Sequence, residues 1–144
     1  MTPSRDDPLA MDPPPTTPPV HTMLVRGAVA HCPVCGSGHL FRRGVVMVER
    51  CPRCGLVFER VEGHWVGAIG VNTIISFVAL FFTVVFSFVV LSPERPVVPL
   101  LVAPLVVGLL VPPVTYPLSK TLWTAIDLAM RPLAAGEADP DAPR

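Results

Sequence analysis

Two stretches without a charged side chain dominate the pattern of polar and apolar positions. The first runs from Trp65 to Leu91, and the second from Val97 to Leu118. A helix crosses the hydrocarbon of a bilayer with about 20 apolar residues, and both stretches reach that length. Only Ser92-Pro93-Glu94-Arg95-Pro96 separates them, so the pattern predicts two antiparallel transmembrane helices joined as a hairpin over 65–118. A buried helix of a soluble protein would need a larger protein around it, and a signal anchor leaves the second stretch unexplained. Trp65 stands where an amphipathic ring suits the membrane interface.

Within the first stretch Asn72, Ser76, Ala79, Thr83 and Ser87 recur at helical spacing and share one face. Small and weakly polar residues on one face favour helix contact in lipid. That face is predicted to pack on the second span, with Asn72 bonding across the hairpin. The second stretch carries Pro99, Pro104, Pro112, Pro113 and Pro117. Proline removes a helical hydrogen bond and its ring crowds the preceding turn. The expectation is a short, irregular span ending near Val111 and continuing as extended chain, with a re-entrant loop as the lesser alternative.

Periodicity returns after Leu118. Leu122, Ile126, Ala129, Met130 and Leu133 fall on one side of a helix, and Lys120, Thr124, Asp127 and Arg131 on the other. This predicts an amphipathic helix over 119–133, lying on the membrane surface or docked on the preceding domain, with Trp123 at its edge as a headgroup anchor. Upstream, Leu40–Glu49 reads as strand, glycine turn and strand, and Leu56–Val61 as a further strand. Residues 134–144 are a small acidic tail.

Composition sharpens the picture in two places. The chain has 144 residues, 51% of them hydrophobic, with mean hydropathy +0.56 and a formal net charge of zero. The first 22 residues hold seven Pro and three Asp and no apolar segment of a secretory signal. Such a stretch cannot bury enough surface to offset its chain entropy, so 1–22 reads as a disordered tail, within which Met11 offers an alternative start; Met23 offers another just beyond it. From Arg26 to Arg60 there are six Arg against two Glu. That is too few for a nucleic-acid surface, and a membrane anchor would be unusual for one, so nucleic acid is not an expected partner. Arg50, Arg53 and Arg60 precede the first span, Lys120 and Arg131 follow the second, and the connection has only Arg95. The positive-inside rule then puts both termini in the cytoplasm of a multi-pass protein.

The most specific chemistry lies in 24–62. Cys32-Pro33-Val34-Cys35-Gly36 and Cys51-Pro52-Arg53-Cys54-Gly55 form a pair of C-x2-C knuckles with 15 residues between them. Two cysteines three apart can set both sulfurs on one metal if the chain turns tightly. Proline presets φ at the second position, and glycine after the second cysteine allows the positive φ of such a turn. Two knuckles brought together make a closed tetrahedral site for a structural metal, a β zinc ribbon. Zinc is favoured, because no second redox group accompanies the site. Iron is the alternative, since four sulfurs alone do not separate the two. Disulfides would suit an oxidising compartment, which the predicted topology does not supply. With four cysteines present, His31 is not needed as a ligand, and His39 reads as a ribbon-surface residue. Arg43, Arg50 and Arg53 could offset the charge of four thiolates. Glu59 and Glu62 near His64 form the one other polar cluster, read as capping and solvating the start of the first span.

The stretches CPVCGSGHLFRRG, CPRCGLVFERVEGHWVGAIGVN and YPLSKTLWTAIDLAMRP, with the two spans between them, resemble a family of short bacterial membrane proteins known as domain of unknown function 983. The resemblance covers about residues 31–132. The knuckles alone are common among zinc ribbons, whereas the step from the second knuckle through EGHW into the membrane is particular. The resemblance implies a two-span protein of the bacterial plasma (inner) membrane with a cytosolic ribbon. In some bacteria genes of this family lie among those for assembly of haem–copper cytochrome oxidase, which implies an accessory or assembly role in a respiratory complex. It brings no catalytic residues. No serine–histidine–aspartate set, phosphate-cradling glycine loop or catalytic pair of carboxylates is present, and four sulfurs close the metal sphere. The expected protein is therefore a non-enzymatic one that binds a membrane or cytosolic partner, with a redox- or metal-responsive protein as the alternative.

Overall fold

The computed structural model describes residues 17–42, 46–60, 63–91, 97–133 and 138. Five elements follow in order: α1 (Val20–Ala28), β1 (Phe41–Arg42), β2 (Val46–Met47), α2 (His64–Val90) and α3 (Val97–Met130). They make a small sheet bearing the cysteines, followed by a hairpin of two long apolar helices. Residues 92–96, the predicted glycine turn at 43–45, the stretch Val61-Glu62 and most of the two tails lie outside the described residues.

At 1.5 Å per residue the 27 residues of α2 rise about 40 Å, more than the hydrocarbon thickness of a bilayer. Both α2 and α3 are long and apolar enough to span a membrane. The outward faces carry the large apolar side chains. Phe77, Phe81, Phe86, Leu101, Leu105 and Leu109 are all more than 60% exposed, as lipid-facing residues would be. Against that, Asn72, Ser76, Ala79 and Thr83 are half-buried and Ser87 is buried, so the small-residue face turns inward as its spacing predicts. Its polar centre is Asn72. The Nδ2 group donates to the Pro112 carbonyl at 3.1 Å. Its Oδ1 accepts from the Thr115 hydroxyl at 2.6 Å and lies 3.3 Å from that of Ser119.

The second span departs from expectation. It does not end at Val111; α3 runs unbroken through Pro104, Pro112, Pro113 and Pro117 into the amphipathic segment, which is its last turns and not a separate helix. Proline's φ already suits a helix, and the loss is one hydrogen bond and some crowding of the carbonyl four residues back. For Pro112 that residue is Gly108, whose position faces open space, so the backbone can yield there. Around the prolines, hydroxyls bond back along the same helix: Thr115 to the Val111 carbonyl at 2.8 Å, Ser119 to that of Thr115 at 2.9 Å, Thr124 to that of Lys120 at 2.9 Å. In lipid such bonds, with Asn72 from the neighbouring helix, hold a proline-rich segment helical.

The side of those last turns that is buried includes residues assigned to the polar side of the predicted amphipathic helix. Thr121, Thr124, Ala125, Asp127 and Leu128 are buried, while Met130 is 60% exposed. The threonines can turn inward because their hydroxyls are satisfied within the fold. Thr121 donates to the Gly27 carbonyl of α1 at 2.6 Å.

Helix α1 was not expected, and its first residues fall within the stretch read as a disordered tail at 1–22. Met23 and Gly27 are its buried residues. A Cβ on Gly27 would meet the Thr121 carbonyl oxygen at 2.9 Å and the Ala125 Cβ at 3.0 Å, so glycine lets α1 cross α3 at backbone contact. The core joining these parts contains Met23, Leu40, Leu56, Phe58, Ala125, Leu128 and Leu133. It lies between ribbon, α1 and the end of α3, so the amphipathic segment docks on the ribbon. Leu56 also pairs with Ala138, bringing the C-terminal chain back onto the ribbon.

Candidate metal centre

Each knuckle forms as its sequence dictates. Gly36 N–H donates to the Cys32 carbonyl at 2.8 Å, and Gly55 N–H to that of Cys51 at 3.0 Å. The two glycines have φ of 72° and 70°, the left-handed region in which a side chain is strained. Backbone amides then point at sulfur: that of Cys35 at Cys32, those of Cys54 and Arg53 at Cys51, and that of Leu56 at Cys54. The hairpin of β1 and β2, in the register Phe41 to Met47 and Arg42 to Val46, leads from the first knuckle back towards the second. Val48 bonds to Leu40, and the Arg50–Val57 bridge adds the returning chain.

This brings Cys32, Cys35, Cys51 and Cys54 together, with all four sulfurs within 4.8 Å of one another. Cys32 Sγ lies 3.7 Å from Cys54 Sγ, and Cys35 Sγ 3.6 Å from Cys51 Sγ. The cysteines are free, not disulfide-bonded. A tetrahedron with metal–sulfur bonds of about 2.3 Å has edges of about 3.8 Å, so the four residues fit a metal ion. The electrostatics agree. Hydrogen bonds with Cys51 and Cys54, then burial, push the Cys32 thiol up. The same bonds from Cys32 and Cys54 hold Cys51 down as the thiolate. Cys54 is pushed up to about 12: its contact with Cys32 favours the thiolate, but the contact with Cys51 and burial outweigh it. Crowding of Cys32, Cys51 and Cys54 thus sets their thiols in competition for charge, and a metal cation would relieve it.

The other residues singled out in the sequence fall around this cluster. His31 has Nδ1 2.7 Å from the Val29 carbonyl and sets its ring against Gly38, so it is engaged away from the sulfurs. His39 is exposed with φ of 60°. Arg50 and Arg53 are exposed on the ribbon; Arg43 and Glu62 lie outside the described residues. Arg60 pairs with Asp127 at 3.4 Å, both side chains 7% exposed, and its guanidinium donates to the carbonyls of Arg131 at 3.0 Å and Pro132 at 3.4 Å. It thereby ties the ribbon to the end of α3. Trp123 is not a headgroup anchor. Its ring lies on Gly67 of α2, where a side chain would collide with it, and tilts against His64.

Arg26 is the functional residue that sequence reasoning missed. It donates to the carbonyls of Val34 at 2.7 Å and Pro33 at 3.3 Å, and its guanidinium covers Gly36. Helix α1 thus clasps the first knuckle while its Gly27 rests on α3. The one signal available was an arginine next to a glycine, eight residues before the middle of the knuckle.

Fold and site together define a four-cysteine ribbon able to hold a metal ion, fastened to a hairpin of two helices long and apolar enough to span a membrane. The chain belongs to the family described as "Protein of unknown function (DUF983)", which matches residues 41–127. That match covers the second knuckle, α2 and most of α3 and begins after the first knuckle. No curated protein and no solved structure matches the chain.

Proposed function

We propose that the protein is a non-enzymatic membrane adaptor whose zinc-folded ribbon presents a binding surface to a protein partner. The observation that carries this reading is how the ribbon is fastened. Arg26, Thr121–Gly27, Arg60–Asp127 and the shared core fix the metal knuckles to α3 at several points, which suits a platform more than a flexible tethered domain. Four sulfurs fill a tetrahedral sphere and leave no open position for substrate, which argues for a structural metal. The resemblance to the family implies the plasma membrane of a bacterium, and the basic residues flanking the spans favour both termini in the cytoplasm. The finer role we propose is that of an accessory or assembly factor of a respiratory membrane complex. Nucleic acid is not the partner of this reading.

The test is metal analysis with an optical spectrum, followed by identification of crosslinked proteins from the same membranes. We expect one colourless zinc per chain and a defined complex that Cys32→Ser loses. Recovery of lipid and the protein alone would overturn the adaptor reading.

A second reading has its own observation. Cys32 and Cys51 are buried, whereas Cys35 and Cys54 are only half-buried, so one side of the cluster is open to oxidants. A redox- or metal-responsive protein, with iron or labile zinc, would show visible absorption or lose its metal under mild peroxide.

A further inference from the structure

Between ribbon and hairpin lies a cleft of about 280 Å³ outside the metal centre. Its floor is Phe58, Ala68 and Thr124, all buried. Its polar groups come from two levels. Lys120 of α3 and His64 of α2 stand just beyond the apolar spans. Glu49 and Glu59 belong to the ribbon. We propose that this cleft binds the headgroup of a zwitterionic phospholipid of the phosphatidylethanolamine type.

Position is the first argument, and it rests on α2 and α3 spanning the bilayer. Lys120 is the first charged residue after the second apolar stretch, and Trp65, which lines the cleft, begins the first. The cleft therefore lies at headgroup level. Trp65 is 56% exposed, and Val66 and Ile69 continue an exposed apolar surface from it. One wall thus opens towards the lipid, where acyl chains can follow α2. The volume falls just below the usual range for a drug-sized ligand, which suits a headgroup and not a whole lipid.

Charge order is the second. In a phosphoethanolamine headgroup the phosphate lies nearer the hydrocarbon and the ammonium farther out. Here the cation lies on the helices and the carboxylates on the ribbon, in the complementary order. Lys120 has no carboxylate within ion-pair distance among the described residues; its Nζ stands over the Tyr116 ring, 5.2 Å from the centroid. The first turn of α2 adds to it. Gly63 provides no capping side chain and no acidic residue follows in that turn, so its free amide donors favour a phosphate oxygen. An anionic lipid without the ammonium would satisfy Lys120 and face Glu49 and Glu59 unpaired. A choline headgroup could enter but would offer them no hydrogen-bond donor.

The test uses the full chain, purified in detergent with its metal content measured. Lipids retained by the protein are quantified by mass spectrometry. Thermal stability is read after adding phosphatidylethanolamine, phosphatidylcholine or phosphatidylglycerol, or inorganic phosphate alone. We expect phosphatidylethanolamine to be enriched several-fold over its bulk share and to raise the melting temperature most. Lys120→Gln should remove that preference and Lys120→Arg keep it, both with normal metal content. Glu49→Gln with Glu59→Gln should shift the preference towards phosphatidylglycerol. Equal retention of the three lipids, a preference unchanged by Lys120→Gln, or stabilisation by phosphate matching that by phosphatidylethanolamine would each overturn the proposal. Carbonate extraction of the same membranes reports separately on whether the chain is membrane-spanning.

Discussion

Replacing Arg60 with Met should destabilise the protein strongly. Arg60 and Asp127 form an ion pair whose side chains are each 7% exposed. Asp127 stands in the last turn of α3, at the negative end of the helix dipole, so its carboxylate depends on the guanidinium for compensation. Breaking a buried pair from one side costs about 3–5 kcal/mol, because a charge is left without compensation. The contact is 3.4 Å, longer than the usual charge-assisted bond, which puts the loss near the lower end. The lost donors to the Arg131 and Pro132 carbonyls add about 1 kcal/mol. A total of about 4 kcal/mol corresponds to a fall in Tm of roughly 12–16 °C for a chain of this size.

Removing both charges should behave differently. In Arg60→Met with Asp127→Leu no charge is stranded, and stability should return to within about 1–2 kcal/mol of the parent. The assay is thermal unfolding in detergent followed by the fluorescence of Trp65 and Trp123, with metal content measured on each sample. All variants keep the four cysteines and should bind metal normally. A Tm for Arg60→Met within one degree of the parent, or a double variant no better than the single, would refute the claim that this pair fastens ribbon to helix.

Other perturbations test separate parts of the structure. Cys32→Ser should lose the metal and most of the folded ribbon, since metal-binding energy is folding energy in such modules; unchanged abundance with full metal content would contradict it. Metal release should become easier as pH falls. Cys32 is held up and Cys54 is pushed up to about 12, so both carry protons in the metal-free ribbon near neutrality. Each proton displaced on binding lowers the apparent affinity about tenfold per pH unit of acidification, and a chelator competition that is flat from pH 8 to 6 would count against it. The raised Cys54 has the opposite sign for the metal-free fold: its contribution is full below the unfolded thiol value and lost only as pH rises towards 12. Asn72→Leu removes the bonds to Pro112 and Thr115 and should cost about 1–2 kcal/mol by reversible unfolding in detergent. Gly67→Leu should expel the Trp123 ring from α2, with a shift in Trp123 emission measured in a Trp65→Phe background.

The parts legible in the sequence were those whose signal is local. Gly36 and Gly55 follow directly from the backbone a knuckle requires. The inward face of α2 follows from side-chain spacing alone, because lipid rewards small residues at a contact. What escaped depended on contacts distant in the chain. Helix α1 is nine residues long, too short to be stable by propensity, and it follows a proline-rich stretch. It exists because Gly27 finds Thr121 and Arg26 finds the carbonyls of Pro33 and Val34. The prolines of α3 were read as breakers from a local rule, and that rule is weakened by Gly108, Asn72 and hydroxyls bonding along the helix.

The buried side of α3 beyond Ser119 carries the strongest lesson. Hydrophobic periodicity put Leu122, Ile126, Ala129, Met130 and Leu133 on one side, towards the membrane surface or the ribbon, and Lys120, Thr124, Asp127 and Arg131 on the other. The structure buries Thr121, Thr124 and Asp127 instead. Periodicity assumes that a polar side chain needs water, but a threonine hydroxyl can bond to its own helix, and a carboxylate can meet an arginine from a distant part of the chain. Near a membrane there is a further reason. The apolar side of this segment has a use outside the protein, since lipid as well as the ribbon can cover it. Once two apolar environments compete for one helix, hydrophobicity no longer identifies which face turns inward. The satisfied polar groups, tied by Arg60 and by the Gly27 carbonyl, specify that orientation.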